Sequence, residues 1–260
     1  MEIFHIGEGE RKLVSIFYAG DERKAKRTGI IICNPLGHEY IRFYKTIAVL
    51  AKELSQQGFP VFRFDYYGTG DSYGDDTGLD VNSSKEDLKQ VANEMREGCD
   101  IDQLCLIGIR YGSLLSMVSL EDIKVDKLVL WNPVFSGKDF VEEIASNDRE
   151  FFQGSFALNQ KHSAHEYFGI EYSDKLISSL NAFHITSLRP KPLRQVLLLA
   201  DQELLANHPP AGFNFFNQTT LTIMENSVPR FWLKQKGEED KSLVPLHEIK
   251  KIAEWLVASH

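Results

Sequence analysis

Gly108-Ile109-Arg110-Tyr111-Gly112 is the stretch whose residue types point most directly to chemistry. The apolar residues 104–107 run into it and a helical pattern over 114–118 leaves it, so the pentapeptide reads as a tight strand-to-helix turn. Two glycines around one residue let strand and helix approach closely, with the central side chain displayed on a strained apex, as a nucleophile is displayed. The central residue here is Arg110. A guanidinium stays protonated and offers no lone pair, so it cannot attack a carbonyl. At the start of a helix, unpaired N–H groups and the dipole favour negative charge, and Arg110 adds a bidentate receptor for a carboxylate or phosphate. It can equally fold onto Glu203 or Asp201 as an internal ion pair, which a ligand could displace. Ser113, one helical turn on, and Ser72, in a turn-rich stretch, are poor substitutes for a serine at the apex.

The elements that must position this apex alternate. Residues 2–8 and 13–19 read as a short antiparallel edge, and 29–33 and 127–131 as apolar runs suited to strands buried on both faces. Strands are also expected at 59–64, 195–200 and 219–224. Helical spacing covers 39–57, closed by Gly58, and 245–257 at the end. Ser83 or Ser84 is expected to cap a further helix reaching about Glu97, with Glu86 or Asp87 completing a capping box. Strand, helix, strand, helix, strand is the order of a doubly wound, mostly parallel α/β sheet. Over 136–192 aromatic and polar residues mix in short helical stretches without a strong strand. The expected organisation is a core of 1–135 and 193–260 with a helical cap insertion at 136–192.

Composition bounds the function. The 260 residues are 43% hydrophobic and 25% charged, ordinary for a globular chain able to bury a full core. A net charge of −8 argues against nucleic acid, and the basic residues 23–27 suit a solvated loop. No apolar run approaches the roughly 20 residues of a membrane span, and the first residues lack a signal-peptide pattern. Cys33, Cys99 and Cys105 cannot all pair and show no metal spacing, so free thiols in a reducing cytoplasm are expected, with no metal and no cofactor. A homodimer is left open.

Four landmarks over nearly the whole chain resemble the α/β-hydrolase superfamily. They are Asn34-Pro-Leu-Gly-His-Glu39, Arg63-Phe-Asp-Tyr-Tyr-Gly-Thr-Gly-Asp-Ser72, the turn at 108–112, and Val244-Pro245 followed by the closing helix with Trp255. Within it the chain is most similar to the serine-aminopeptidase-like branch, which includes exosortase-associated hydrolases and other biosynthetic accessory proteins, some with a G-x-R-x-G turn. The resemblance places an oxyanion loop at Leu36 and His38, and its second donor at the Tyr111 backbone N–H. It places an acid at Glu203, with Asp201 beside it. The family's histidine belongs in the loop after the last strand, residues 225–243, which contains none. His247 is taken as the catalytic candidate, with His208 and His38 as alternatives. The resemblance thus implies an atypical hydrolase or acyl-transfer relative acting on a small acyl or anionic ligand through Arg110, Glu203 and His247. A pseudohydrolase that only binds is the other reading.

Overall fold

The computed structural model describes residues 1–153, 163–189, 193–209, 215, 219–233 and 243–259. The strands are β1 (Glu2–Ile6), β2 (Leu13–Tyr18), β3 (Thr28–Cys33), β4 (Val61–Phe64), β5 (Gln103–Ile109), β6 (Lys127–Trp131), β7 (Glu166–Tyr167), β8 (Ile170–Glu171), β9 (Gln195–Ala200) and β10 (Thr220–Glu225). The helices are α1 (Gly37–Gln56), α2 (Val81–Gly98), α3 (Tyr111–Ser119), α4 (Gly137–Phe152), α5 (Asp174–Asn181), α6 (Gln202–Asn207) and α7 (Leu246–Ala258). Eight strands form one sheet in the order β1-β2-β4-β3-β5-β6-β9-β10. The pairs β1–β2 and β2–β4 are antiparallel and the rest are parallel.

The period-two alternation of strand side chains divides the core. Ile31, Cys33, Leu104 and Leu106 face one side, where they meet apolar residues of α2, α3, α4 and α5. Ile30, Ile32, Cys105 and Ile107 face the other, against α1 and α7. The central strands are buried on both faces, which is why they read as continuous apolar runs rather than alternating ones.

Three local expectations are corrected. Asp80, not Ser83 or Ser84, caps α2: its carboxylate accepts from Ser83 N–H at 2.6 Å, and Ser83 Oγ accepts from Asp80 N–H at 2.9 Å. The expected strand at 59–64 starts only at Val61. Among the described residues between β6 and β9 stand a 16-residue helix, α4, a hairpin of two two-residue strands and α5, rather than short helical stretches alone. Ser136 starts α4 by accepting from Asp139 N–H. The 65–74 turn is structural, since Ser72 Oγ donates to Asp65 O at 2.7 Å and accepts from Val14 N–H at 2.8 Å. Among the described residues no helix is long and apolar enough to cross a membrane.

Candidate functional site

Arg110 sits between β5 and α3 with φ 53° and ψ −118°. Positive φ at a residue with a Cβ costs on the order of 1–3 kcal/mol and persists only where the surroundings fix it. Here Arg110 N–H donates to Trp131 O at 3.1 Å and Ser113 N–H donates to Arg110 O at 2.9 Å. Ser113 Oγ donates to Arg110 O at 2.5 Å and accepts from Val134 N–H at 2.9 Å. Ser113 is fully buried and committed to the backbone, so it pins the apex to the end of β6. The flanking glycines are steric requirements. A Cβ on Gly112 would lie 1.9 Å from Cys33 O, and one on Gly108 would lie 2.4 Å from Ser113 Cα.

The Arg110 side chain is 5% exposed and turned onto two carboxylates. Its Nε donates to Glu39 Oε1 at 3.0 Å and its Nη2 pairs with Glu143 Oε2. The rings of Phe140 and Trp232 flank the guanidinium, with centroids 5.4 and 5.3 Å away. The expectation of a pair with Asp201 or Glu203 is therefore corrected: Glu39 of α1 and Glu143 of α4 take that place. Burial opposes the Arg110 charge, but Glu143 and Glu39 outweigh it and raise the guanidinium further. Glu39 is wholly buried. Burial pushes its carboxyl up, Arg110 pulls it back and Glu143 adds to the rise, leaving it at about 7.

The loop after β10, where an imidazole was sought, supplies Arg230 and Trp232 instead. Arg230 Nε and Nη2 donate to separate oxygens of Asp201 at 2.8 and 3.0 Å. Arg230 also lies 3.3 Å from Glu203 and 3.7 Å from Glu143. Burial would raise the Asp201 carboxyl, yet the Arg230 fork and Leu204 N–H hold it below the ordinary carboxylate range. Asp201 caps α6 through that same N–H at 2.8 Å. Asn132, also at positive φ, fixes the segment that leaves β9 by accepting from Asp201 N–H at 3.2 Å.

These side chains border one cavity of about 410 Å³. Arg110, Asp201, Glu203 and His208 line it, with Asn132, Asp139, Glu143 and Arg230 as polar neighbours and Val134, Phe135, Phe140 and Leu204 as apolar ones. Of the sequence candidates, Arg110, Asp201, Glu203 and His208 are thus brought together. The others are placed elsewhere. His247 is exposed on the first turn of α7 and is absent from the cavity wall, because helical periodicity turns Glu248 and Ile249 inward instead. His38 is buried, its Nε2 3.1 Å from Trp232 O and its ring 4.1 Å from that of Phe168, so it joins α1 to the loop after β10. Leu36 is core at the start of α1. Tyr111 is fully buried, its hydroxyl donating to Ser84 Oγ at 2.8 Å and its ring edge-on to Tyr66. Among the described residues no group of three or more His, Cys, Asp or Glu side chains is placed to hold a metal.

Sequence reasoning missed Arg230, Glu143, Glu39 and Asn132 as site residues. Position gave one usable signal, since Arg230 lies inside the loop after β10, where the resemblance places a histidine. The i, i+4 spacing of Asp139 and Glu143 on an amphipathic helix gave another.

No oxygen or sulfur nucleophile stands at the apex. No curated protein matches the sequence. Among solved structures, the fold is similar to Est1E from Butyrivibrio proteoclasticus, at 15% identity over 98% of each chain and a TM-score of 0.65. It is also similar to an alpha-beta serine hydrolase homologue from Coxiella burnetii, at 20% identity over 99% of this chain and 96% of that one, with a TM-score of 0.58. Mouse alpha/beta hydrolase domain-containing protein 10 aligns over the whole of both chains at 16% identity and a TM-score of 0.57. Such identities speak to the fold alone. Residues 25–158, just over half the sequence and including the whole strand–apex–helix unit, match the family model described as serine aminopeptidase, S33. By that match and by its eight-stranded sheet, this chain belongs to the serine aminopeptidase S33 family of α/β hydrolases.

Proposed function

We propose that this chain is a non-hydrolytic member of its family, a protein that binds a small acyl or carboxylate compound in the cavity beside Arg110. One observation carries the reading. The apex side chain is a guanidinium engaged by Glu39 and Glu143, and a second guanidinium, Arg230, holds the Asp201 carboxylate. Acyl transfer through a covalent enzyme needs a nucleophile and a base that accepts its proton. Neither guanidinium does either. The segment between β6 and β9 supplies Phe140 and Glu143 to the wall and acts, in this reading, as a cap. The test is a panel of short- and medium-chain p-nitrophenyl esters and acyl thioesters, with a fluorophosphonate probe alongside. No turnover and no labelling of the purified protein are expected. Turnover that Arg110→Ala abolishes would overturn the proposal.

His208 favours a second reading. It lines the same cavity with Asp139 3.7 Å from its Nε2, a pairing that could orient an imidazole to activate water. In that case His208→Ala, and not a serine substitution, would remove whatever turnover the panel finds.

A further inference from the structure

Two arginines from different loops converge on one carboxylate. Arg110 Nη2 pairs with Glu143 Oε2, and Arg230 Nη1 lies 3.7 Å from Glu143 Oε1. Each arginine keeps partners of its own, Glu39 for Arg110, and Asp201 and Glu203 for Arg230. We propose that Glu143 is a tethered stand-in for a ligand's carboxylate, and that a small carboxylate with an apolar tail binds by displacing it from between Arg110 and Arg230. The proposal rests on the binding reading above and adds how the site is held closed.

Charge supports an exchange rather than an addition. With Glu143 in place, two guanidinia face four carboxylates, Glu39, Glu143, Asp201 and Glu203, so a further anion would be repelled. Swapping one carboxylate for another leaves the balance unchanged, and each guanidinium offers a forked donor set suited to either. Glu203 is more exposed but reaches only Arg230; among the more shielded carboxylates Glu143 is the one best able to leave. Its side chain is 26% exposed, against 0% for Glu39 and 17% for Asp201.

An independent feature points the same way. Asn132 lines the cavity and is 1% exposed, with its Oδ1 accepting from Asp201 N–H. Its Nδ2 has no hydrogen-bond partner among the described residues. A buried donor without an acceptor is costly, and a ligand oxygen would supply the acceptor. An ammonium ligand would meet that N–H donor against donor. The remaining acids of the wall, Asp139 and Glu203, have side chains 58% and 69% exposed, so water screens them. Val134, Phe135, Phe140 and Leu204 supply the apolar surface for the tail.

The experiment is calorimetric titration of benzoate, benzamide and benzylamine into the wild type, Glu143→Ala, Glu143→Gln and Glu143→Ala/Arg230→Met. Removing a tethered competitor, present at an effective concentration of about millimolar or more, should tighten benzoate binding at least about tenfold in Glu143→Ala. The gain should disappear in the double variant, and benzamide should not respond. If Glu143→Ala fails to fold by circular dichroism, Glu143→Gln carries the same comparison, since it removes the charge and keeps the shape. Benzoate affinity no higher without the Glu143 charge overturns the proposal, as does benzylamine binding that the Glu143 substitutions abolish. Ester turnover would sink the binding reading and leave this affinity comparison untouched, so the two failures are separable.

Discussion

Arg230 forks onto Asp201, its Nε and Nη2 reaching one carboxylate oxygen each at 2.8 and 3.0 Å. Asp201 follows β9 and Arg230 follows β10, so the acid-bearing and base-bearing loops of the resemblance do meet. They meet through a cation that cannot accept a proton. With Arg110 at the apex, guanidinia stand in both remaining places.

That relationship makes a reconstruction testable. Arg110→Ser alone and Arg230→His alone should remain unlabelled by a fluorophosphonate, because each lacks either the base or the nucleophile. The combined Arg110→Ser/Arg230→His variant should label detectably, since Asp201 is placed to orient an imidazole from that loop. Mass spectrometry of the labelled residue is the readout.

Arg110→Ala should cost stability as well as ligand. It strands the buried Glu39 carboxylate, whose Oε2 already has no hydrogen-bond partner among the described residues. Breaking one side of a buried ion pair costs roughly 3–5 kcal/mol when the other charge stays behind. Adding Glu39→Gln removes that charge, so Arg110→Ala/Glu39→Gln should regain part of the loss in urea unfolding. Equal or greater loss in the double variant would mean that Arg110 stabilises by packing on Phe140 and Trp232.

Glu39 also predicts a pH dependence. Its folded-state carboxyl titrates at about 7 against an ordinary 4.5, chiefly through burial. The folded state therefore binds this proton more tightly than the unfolded chain does. The stabilisation is fully present below about 4.5 and is lost as pH rises through about 7, up to roughly 3 kcal/mol in all. Wild-type Tm should fall relative to Glu39→Gln between about pH 5 and 8. A constant difference between the two melting curves across that range would contradict it.

Gly112→Ala should prevent folding or cost more than about 4 kcal/mol, because backbone rather than a movable side chain blocks the new methyl group. The obstruction is the Cys33 carbonyl oxygen, 1.9 Å from where that methyl carbon would sit. A soluble variant with near wild-type Tm would show that β3 and α3 can separate.

Ser113→Ala should lower stability by about 1–3 kcal/mol, since the Val134 N–H loses its acceptor in the core. Its hydroxyl contributes nothing to the cavity wall, so benzoate affinity should stay within about twofold, a difference well under 1 kcal/mol. A selective loss of affinity would place Ser113 in the site.

The mostly parallel α/β sheet, the apex and the absence of a serine there were legible in the residue pattern alone. Alternation within strands, apolar runs between helices and the glycine spacing at 108–112 are local patterns, and local patterns survive without coordinates. The contacts of Arg110 were not local. Glu39 lies 71 residues away and Glu143 lies 33 away, so their meeting depends on how α1 and α4 pack against the sheet. Asp201 and Glu203, closer in motif logic, went to Arg230 because the loops after β9 and β10 leave neighbouring strands at the same edge. His247 looked available because a helix start is polar in sequence. Only the helix phase showed it facing outward. Burial decided the rest: it raises the Glu39 carboxyl, holds the Arg110 guanidinium between two rings, and leaves Glu143 the more exposed of that guanidinium's two carboxylates. Sequence named the residue that cannot attack, and tertiary packing decided what that residue holds.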